Sequence, residues 1–218
     1  MNIAPNVCIC NTPLVTHNIS ILRDKTTSSE TFRATVKRVS SILVNKAFEN
    51  IPLATKEIET PLMKTNAGVI DSNAKFIIAP ILRAGLIFSE VAMDILPVAK
   101  VHHIGLYRDE ETLKPVPYYN NLPENFSNPP TTYVYIFDPM LATGGSAVAA
   151  VKLFNNLNIA EENITFISLI AAPEGISRLS SEFKNIKIIT GALDKKLNEV
   201  GYILPGLGDA GDRTFNTF

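Results

Sequence analysis

No segment of this chain approaches the roughly 20 consecutive apolar residues that span a bilayer, and its amino terminus, Met-Asn-Ile-Ala-Pro-Asn, lacks a basic stretch followed by an apolar run. A soluble, cytoplasmic protein with no membrane partner is the expectation. Cysteine is nearly absent too. Cys8 and Cys10 are the only two, too few for a tetrahedral zinc site and too close in sequence for an unstrained disulfide, so inert thiols are expected. Nor is there an excess of either charge: 20 Lys and Arg stand against 21 Asp and Glu, a formal net charge of -1. Without a global field to recruit nucleic acid or an anionic surface, any phosphate site must be local. The chain also has no internal repeat, no low-complexity tract and no segment with the composition of a linker. What it does have is an apolar content of 46% over 218 residues, enough for one sizeable core and a single domain, 1–218.

Periodicity predicts an α/β architecture. Thr27 and Glu30 match a T-x-x-E capping box, and Phe32, Val36, Val39, Leu43 and Ala47 follow at helical spacing, so a long amphipathic helix is expected after an amino-terminal arm, 1–27. Residues 55–72 alternate apolar and polar around Asn66-Ala67-Gly68, which predicts a small hairpin. Four short apolar runs, Phe76 to Ala79, Val101 to Tyr107, Tyr133 to Phe137 and Ile164 to Ala171, are rich in β-formers and too short for helices. Helical stretches lie at Gly85 to Leu96, Gly145 to Leu157 and Gly175 to Phe183, with a last strand at Lys187 to Thr190. Strands alternating with helices imply a parallel sheet flanked by helices. Residues 191–218 are dense in Gly and Pro and predict a loop-rich appendage. His102 and His103 are adjacent in an expected strand, face opposite sides, and are assigned to packing rather than to a ligand.

Four segments carry chemistry. The strand Tyr133 to Phe137 runs into Asp138-Pro139-Met140-Leu141-Ala142-Thr143-Gly144-Gly145-Ser146 and then a helix. Gly144 and Gly145 permit positive φ and close approach, so N–H groups and the positive helix end can bind a phosphate, with the Thr143 and Ser146 hydroxyls as further donors. The helix start has no Lys, so the nucleoside-triphosphatase loop G-x-x-x-x-G-K-[ST] is disfavoured, while a turn that merely needs glycine remains open. Ile81-Leu82-Arg83-Ala84-Gly85-Leu86 sets a guanidinium at a helix start, where it opposes the dipole and implies an anion. Tyr107 to Tyr119 is a polar, Pro-containing stretch of lid-like length, which composition alone leaves as a solvated connector. Gly201-Tyr202-Ile203-Leu204-Pro205-Gly206-Leu207-Gly208-Asp209-Ala210-Gly211-Asp212-Arg213 contains a formal G-x-G-x-x-G. Only seven residues follow Gly211, leaving no room for a dinucleotide-binding unit, so that rigid loop instead suits a flat ligand read by main-chain groups.

Taken together, D-P-M-L-A-T-G-G-S, Y-R-x-E-E-T-L-x-P-V-P-Y and G-Y-I-x-P-G-L-G-D-A-G-D resemble the uracil phosphoribosyltransferases, of the type I phosphoribosyltransferase superfamily. Ala171-Ala172-Pro173-Glu174-Gly175 and Leu197-Asn198-Glu199 extend the resemblance from about residue 12 to the end. Most superfamily relatives carry two adjacent acidic residues where this chain has Asp138 and Pro139, as the uracil enzymes do, so one carboxylate is left for the ribose hydroxyls. The resemblance implies transfer of the phosphoribosyl group of 5-phospho-α-D-ribose 1-diphosphate (PRPP) to N1 of uracil, giving UMP and diphosphate. It implies PRPP contacts at Arg83, Arg108, Asp138, Pro139, Met140, Leu141, Ala142, Thr143, Gly144, Gly145, Ser146 and Asp209, with Ala142 to Ser146 around the 5′-phosphate. It implies uracil contacts at Ile203, Gly208, Asp209 and Ala210, and it makes Asp138, Asp209 and Arg108 the catalytic candidates. Residues 108–123 become a hood hairpin and 191–218 the uracil-binding region. Mg²⁺ is expected on the diphosphate rather than on a protein metal site, and a homodimer or homotetramer is implied. The alternatives are a phosphoribosyltransferase for another nucleobase, sharing Asp138 to Ser146 but not the carboxy-terminal loop, and a nucleotide-sensing or RNA-binding regulator on the same fold. Balanced charge disfavours nucleic acid as a partner.

Overall fold

The computed structural model describes residues 5–108 and 115–217. The chain opens with β1 (Val7–Ile9) and α1 (Pro13–Arg23), followed by α2 (Ser29–Phe48). The cap of α2 lies one residue beyond the expected box. Ser28 is the N-cap and accepts from Thr31 N–H, while the Thr27 hydroxyl donates back to the Ile21 carbonyl in α1 (2.7 Å). The hairpin forms as β2 (Leu53–Glu59) and β3 (Lys64–Ile70), but its turn is Thr60 to Met63, and Asn66-Ala67-Gly68 lies inside β3. Pro61 cannot donate to a ladder, and the Thr60 hydroxyl accepts from the N–H groups of Leu62 and Met63 (3.2 and 3.0 Å), so Thr-Pro outcompetes Asn-Ala-Gly.

The sheet comprises β4 (Lys75–Leu82), β5 (Lys100–Val101), β6 (Ile104–Arg108), β7 (Pro115–Asn120), β8 (Thr132–Phe137), β9 (Met140–Leu141), β10 (Ile164–Ala171) and β11 (Lys187–Leu193), with β1 at one edge. Helix α3 (Leu86–Ile95) follows β4, α4 (Gly145–Asn155) follows β9, and α5 (Pro173–Glu182) follows β10. The order is β1-β11-β10-β8-β4-β6-β7, and every pairing is parallel except β6 with β7. The run Val101 to Tyr107, expected as one strand, is two. His102 and His103 form the break between β5 and β6, both half-buried, with His102 Nδ1 3.0 Å from the Asn121 carbonyl.

Alternate residues of the central strands feed two cores. Phe76, Ile78, Tyr135 and Phe137 pack with α1, α2 and α3, while Ile77, Ala79, Val134 and Ile136 pack with α4 and α5. Burial on both faces explains why these strands read as continuous apolar runs rather than as alternation. The loop-rich tail first completes β11, then forms the ribbon β12 (Lys196–Leu197) with β13 (Ile203–Leu204) and the short α6 (Ala210–Phe215).

Connectivity locates the cleft. From β4 the chain proceeds through α3 toward β6 on one side of the sheet, whereas from β8 it proceeds through α4 toward β10 on the other. The carboxyl ends of β4 and β8 therefore flank a topological switch point, where ligands of open α/β sheets bind. Arg83 follows β4 and Asp138 follows β8.

Candidate active site

At the end of β8, the Asp138 N–H donates to the Ile167 carbonyl (3.2 Å), and its Oδ1 accepts from Met140 N–H (3.4 Å). The Pro139 carbonyl accepts from Leu169 and Ile170 (2.9 and 3.2 Å), which holds the loop against β10. Asp138 is half-buried. Desolvation pushes its pKa up to about 7; the Met140 hydrogen bond opposes the rise and the negative charge of Asp209 adds to it. Asp138 and Asp209 thus influence one another across the cleft although 71 positions separate them in sequence.

Beyond Leu141 the chain turns into α4 through Gly144, at φ +75° and without a side-chain cap. A Cβ there would lie 2.9 Å from the Gly175 carbonyl, so conformation and space both require glycine. The first N–H groups of α4 have no partner within the helix, the arrangement that binds anions. Gly175 of α5 is equally constrained, since its Cβ would meet the Ala142 and Leu141 carbonyls at 2.4 and 2.6 Å. Pro115, at the base of the expected hood, approaches the same loop, with Cδ 3.3 Å from a Cβ position on Gly145.

The loop after β4 contains a cis Leu82–Arg83 peptide and closes with Gly85 N–H on the Ile81 carbonyl (2.9 Å). Gly85 abuts the Phe137 carbonyl, 2.4 Å from where a Cβ would stand, and this contact brings the Arg83 and Asp138 loops together. Arg83 is exposed and pairs with Asp212 at 3.2 Å. Asp209 is the N-cap of α6 and accepts from Asp212 N–H (2.9 Å). The carboxy-terminal loop therefore docks on the loop after β4. Ile203 and Ala210 are buried beneath it, Gly208 and Asp209 are exposed, and Gly206 and Gly208 have φ of +64° and +78°. Of the expected residues, Arg83, Asp138 to Ser146, Ile203 and Gly208 to Ala210 fall at this end of the sheet. Residues 109–114 of the expected hood lie outside the described residues, as does the side chain of Arg108, whose backbone pairs with Pro115 at the end of β6.

Sequence reasoning missed the brace behind the carboxy-terminal loop. Asp194, its side chain 2% exposed, pairs with Arg23 and accepts from Gly206 N–H (2.9 Å), while Arg23 Nη1 donates to the Gly206 carbonyl (2.7 Å). Both main-chain groups of Gly206 are thereby fixed. Arg213 is buried over the Phe32 ring, 4.4 Å from its centroid, and donates to the carbonyls of Leu22, Leu207 and Asp24. Arg23 and Asp194 are 171 positions apart, beyond the reach of any local motif. The one available signal was an Asp closely following an apolar strand. A cavity of about 630 Å³ lies against this loop, lined by Arg23, Lys25, Ser28, Gly206, Gly208 and Asp209. Two larger ones, about 840 and 670 Å³, touch neither Asp138 nor the Gly206 loop.

A family model described as Uracil phosphoribosyltransferase matches residues 9–217. A uracil phosphoribosyltransferase of Lachnoclostridium phytofermentans is 50% identical over 212 residues, covering 97% of this chain and 99% of that protein. Among solved structures, a protein of Aquifex aeolicus superposes with a TM-score of 0.87 at 37% identity, over 97% of this chain and 98% of that one. An adenine phosphoribosyltransferase of Trypanosoma brucei, solved with AMP, pyrophosphate and ribose-5-phosphate, shares the fold at a TM-score of 0.54 and 13% identity, over 88% of this chain and 86% of that one.

Proposed function

Because the chain belongs to the uracil phosphoribosyltransferase family, we propose that the loops at its β4–β8 switch point transfer the phosphoribosyl group of PRPP to N1 of uracil. The protein is an enzyme of pyrimidine salvage that forms UMP. The observation that carries the site assignment is convergence. Three loops far apart in sequence, at Arg83, at Asp138 to Ser146 and at Gly206 to Asp212, meet through the Gly85–Phe137 approach and the Arg83–Asp212 pair.

Each loop has a part in the reaction. Ala142 to Ser146 take the 5′-phosphate on the uncapped start of α4, and Asp138 accepts from the ribose hydroxyls. Arg83 exchanges its pairing with Asp212 for the diphosphate, and Arg108 adds a second cation from the hood. Main-chain groups around Ile203, Gly208 and Ala210 read the uracil edge, with the Gly206 turn held still by Arg23 and Asp194. The C1′–O bond to diphosphate breaks as the bond from N1 forms, the N1 proton passes to the departing diphosphate or to solvent, and positive character at C1′ is stabilised by the carboxylates of Asp138 and Asp209.

Family members use Mg²⁺ with PRPP, and the mutual repulsion of Asp138 and Asp209 provides a place that a cation would relieve. The diphosphate would hold most of the ion's coordination, those two carboxylates would face it, and the ion would offset charge on the departing group. Residues 1–218 act as one domain in the cytoplasm, as a homodimer or homotetramer; among the described residues no helix is long and apolar enough to cross a membrane. The test is diphosphate release. Uracil and PRPP together should yield UMP and diphosphate in equal amounts, and Arg83→Ala should raise the KM for PRPP about tenfold or more while changing that for uracil little. Absence of UMP under those conditions would refute the assignment.

A further inference from the structure

From Asp138 to Ser146 there is neither Lys nor Arg. A 5′-phosphate on the start of α4 would face N–H groups, hydroxyls and a helix dipole, with the Asp138 carboxylate nearby and no cation in the loop itself. The fold brings one from elsewhere. Arg178 lies on α5, one turn beyond Gly175, and its Cβ stands 3.3 Å from the position a Cβ on Gly144 would occupy. Its Nη1 is 3.5 Å from the corresponding position on Gly145 and 3.5 Å from the Thr143 carbonyl, the outer limit of a hydrogen bond.

Among the described side chains, the other arginines around the cleft are committed: Arg23 to Asp194, Arg213 to three carbonyls, and Arg83 to Asp212. Arg178 is exposed, forms no ion pair among the described residues, and has only that long bond to Thr143 for its guanidinium. Its neighbour across the α4–α5 contact, Lys152, is paired with Glu182 at 3.1 Å. A flexible side chain positioned over a glycine turn, with no ion pair among the described residues, is suited to an anion that arrives with the substrate.

We propose that Arg178 binds the 5′-phosphate of PRPP and of UMP, supplying from α5 the positive charge that the phosphate loop lacks. This rests on the assignment of Ala142 to Ser146 to that phosphate. The consequence is selective. Affinity for ligands bearing a 5′-phosphate depends on Arg178, whereas affinity for free diphosphate, held at Arg83, does not.

Titration calorimetry on the full-length protein separates the two, using ribose 5-phosphate and, independently, pyrophosphate with Mg²⁺. The wild type should bind both. R178A and R178Q should weaken ribose 5-phosphate about tenfold or more, R178K should recover part of the loss, and pyrophosphate affinity should stay within about twofold. Gln can still donate to the Thr143 carbonyl, so its failure to rescue distinguishes charge on the phosphate from a merely structural bond. Equal weakening of both ligands, or R178A binding ribose 5-phosphate within about twofold of wild type, would overturn the role of Arg178 alone. A wild-type protein that binds neither ligand would overturn this proposal and the phosphoribosyl site together.

Discussion

Asp138 stands in its cleft with a pKa raised from 3.8 to about 7, so the folded protein holds a proton there that the unfolded chain releases at lower pH. Below the ordinary carboxylate value the group costs the fold nothing; between 3.8 and about 7 stability falls as pH rises; above that range the full cost is present. Asp138→Asn should therefore be more stable than wild type at about pH 8, by roughly 1–2 kcal/mol after allowing for partial solvent access, and nearly equal to it at about pH 4. Urea unfolding at the two pH values measures this, and a variant equally stable at both would show that Asp138 is not desolvated. The same variant should lose most activity. Behind the loop, Arg23→Ala would leave Asp194 buried without its cation, at a cost of about 2–4 kcal/mol. That would lower the melting temperature by roughly 5–15 °C. In the surviving folded fraction the KM for uracil should rise more than that for PRPP, because the brace touches only the Gly206 turn. A larger effect on PRPP would contradict that placement.

Elements are where local chemistry and tertiary geometry part company. Gly144→Ala imposes a positive φ on a residue with a Cβ and drives that Cβ to 2.9 Å from the Gly175 carbonyl. We predict a loss of about 2 kcal/mol or more, together with weakened PRPP use, in thermal melts and steady-state kinetics. The strand Ile164 to Ala171 was legible to the residue, because all eight of its positions are buried and its apolar run has no competing explanation. Asp138 and the glycine turn after it were legible for a related reason, since strand, turn and helix start are consecutive. Where two local signals competed, sequence chose poorly: Thr27 against Ser28 for the α2 cap, and Asn66-Ala67-Gly68 against Thr60-Pro61 for the hairpin turn. The Thr27 side chain turns back onto α1 instead, and Pro61 keeps the hairpin turn out of the ladder. The approach of Arg178 to the phosphate loop could not be read at all, and the Arg23–Asp194 brace left only an Asp after an apolar strand as its trace. They join residues from different elements, and neither partner leaves a periodic trace.

At the scale of the whole molecule, the topological switch between β4 and β8 makes one cleft out of segments that are separately unremarkable. On the proposed reading, the base is selected by a carboxy-terminal turn of main-chain groups held by Arg23 and the buried Arg213, not by a side chain free to rotate. Uracil offers an acceptor at position 4 and a donor at position 3, and cytosine reverses both. A fixed set of main-chain donors and acceptors should reject that reversal by roughly 10⁴ to 10⁵. 5-Fluorouracil preserves the pattern and adds little bulk, so it should be accepted. The most direct test is a competition assay with uracil, cytosine and 5-fluorouracil at fixed PRPP, with the nucleotide products identified. UMP and the fluorinated nucleotide should form with equimolar diphosphate while cytosine stays inert; conversion of cytosine within about tenfold of uracil would contradict the account.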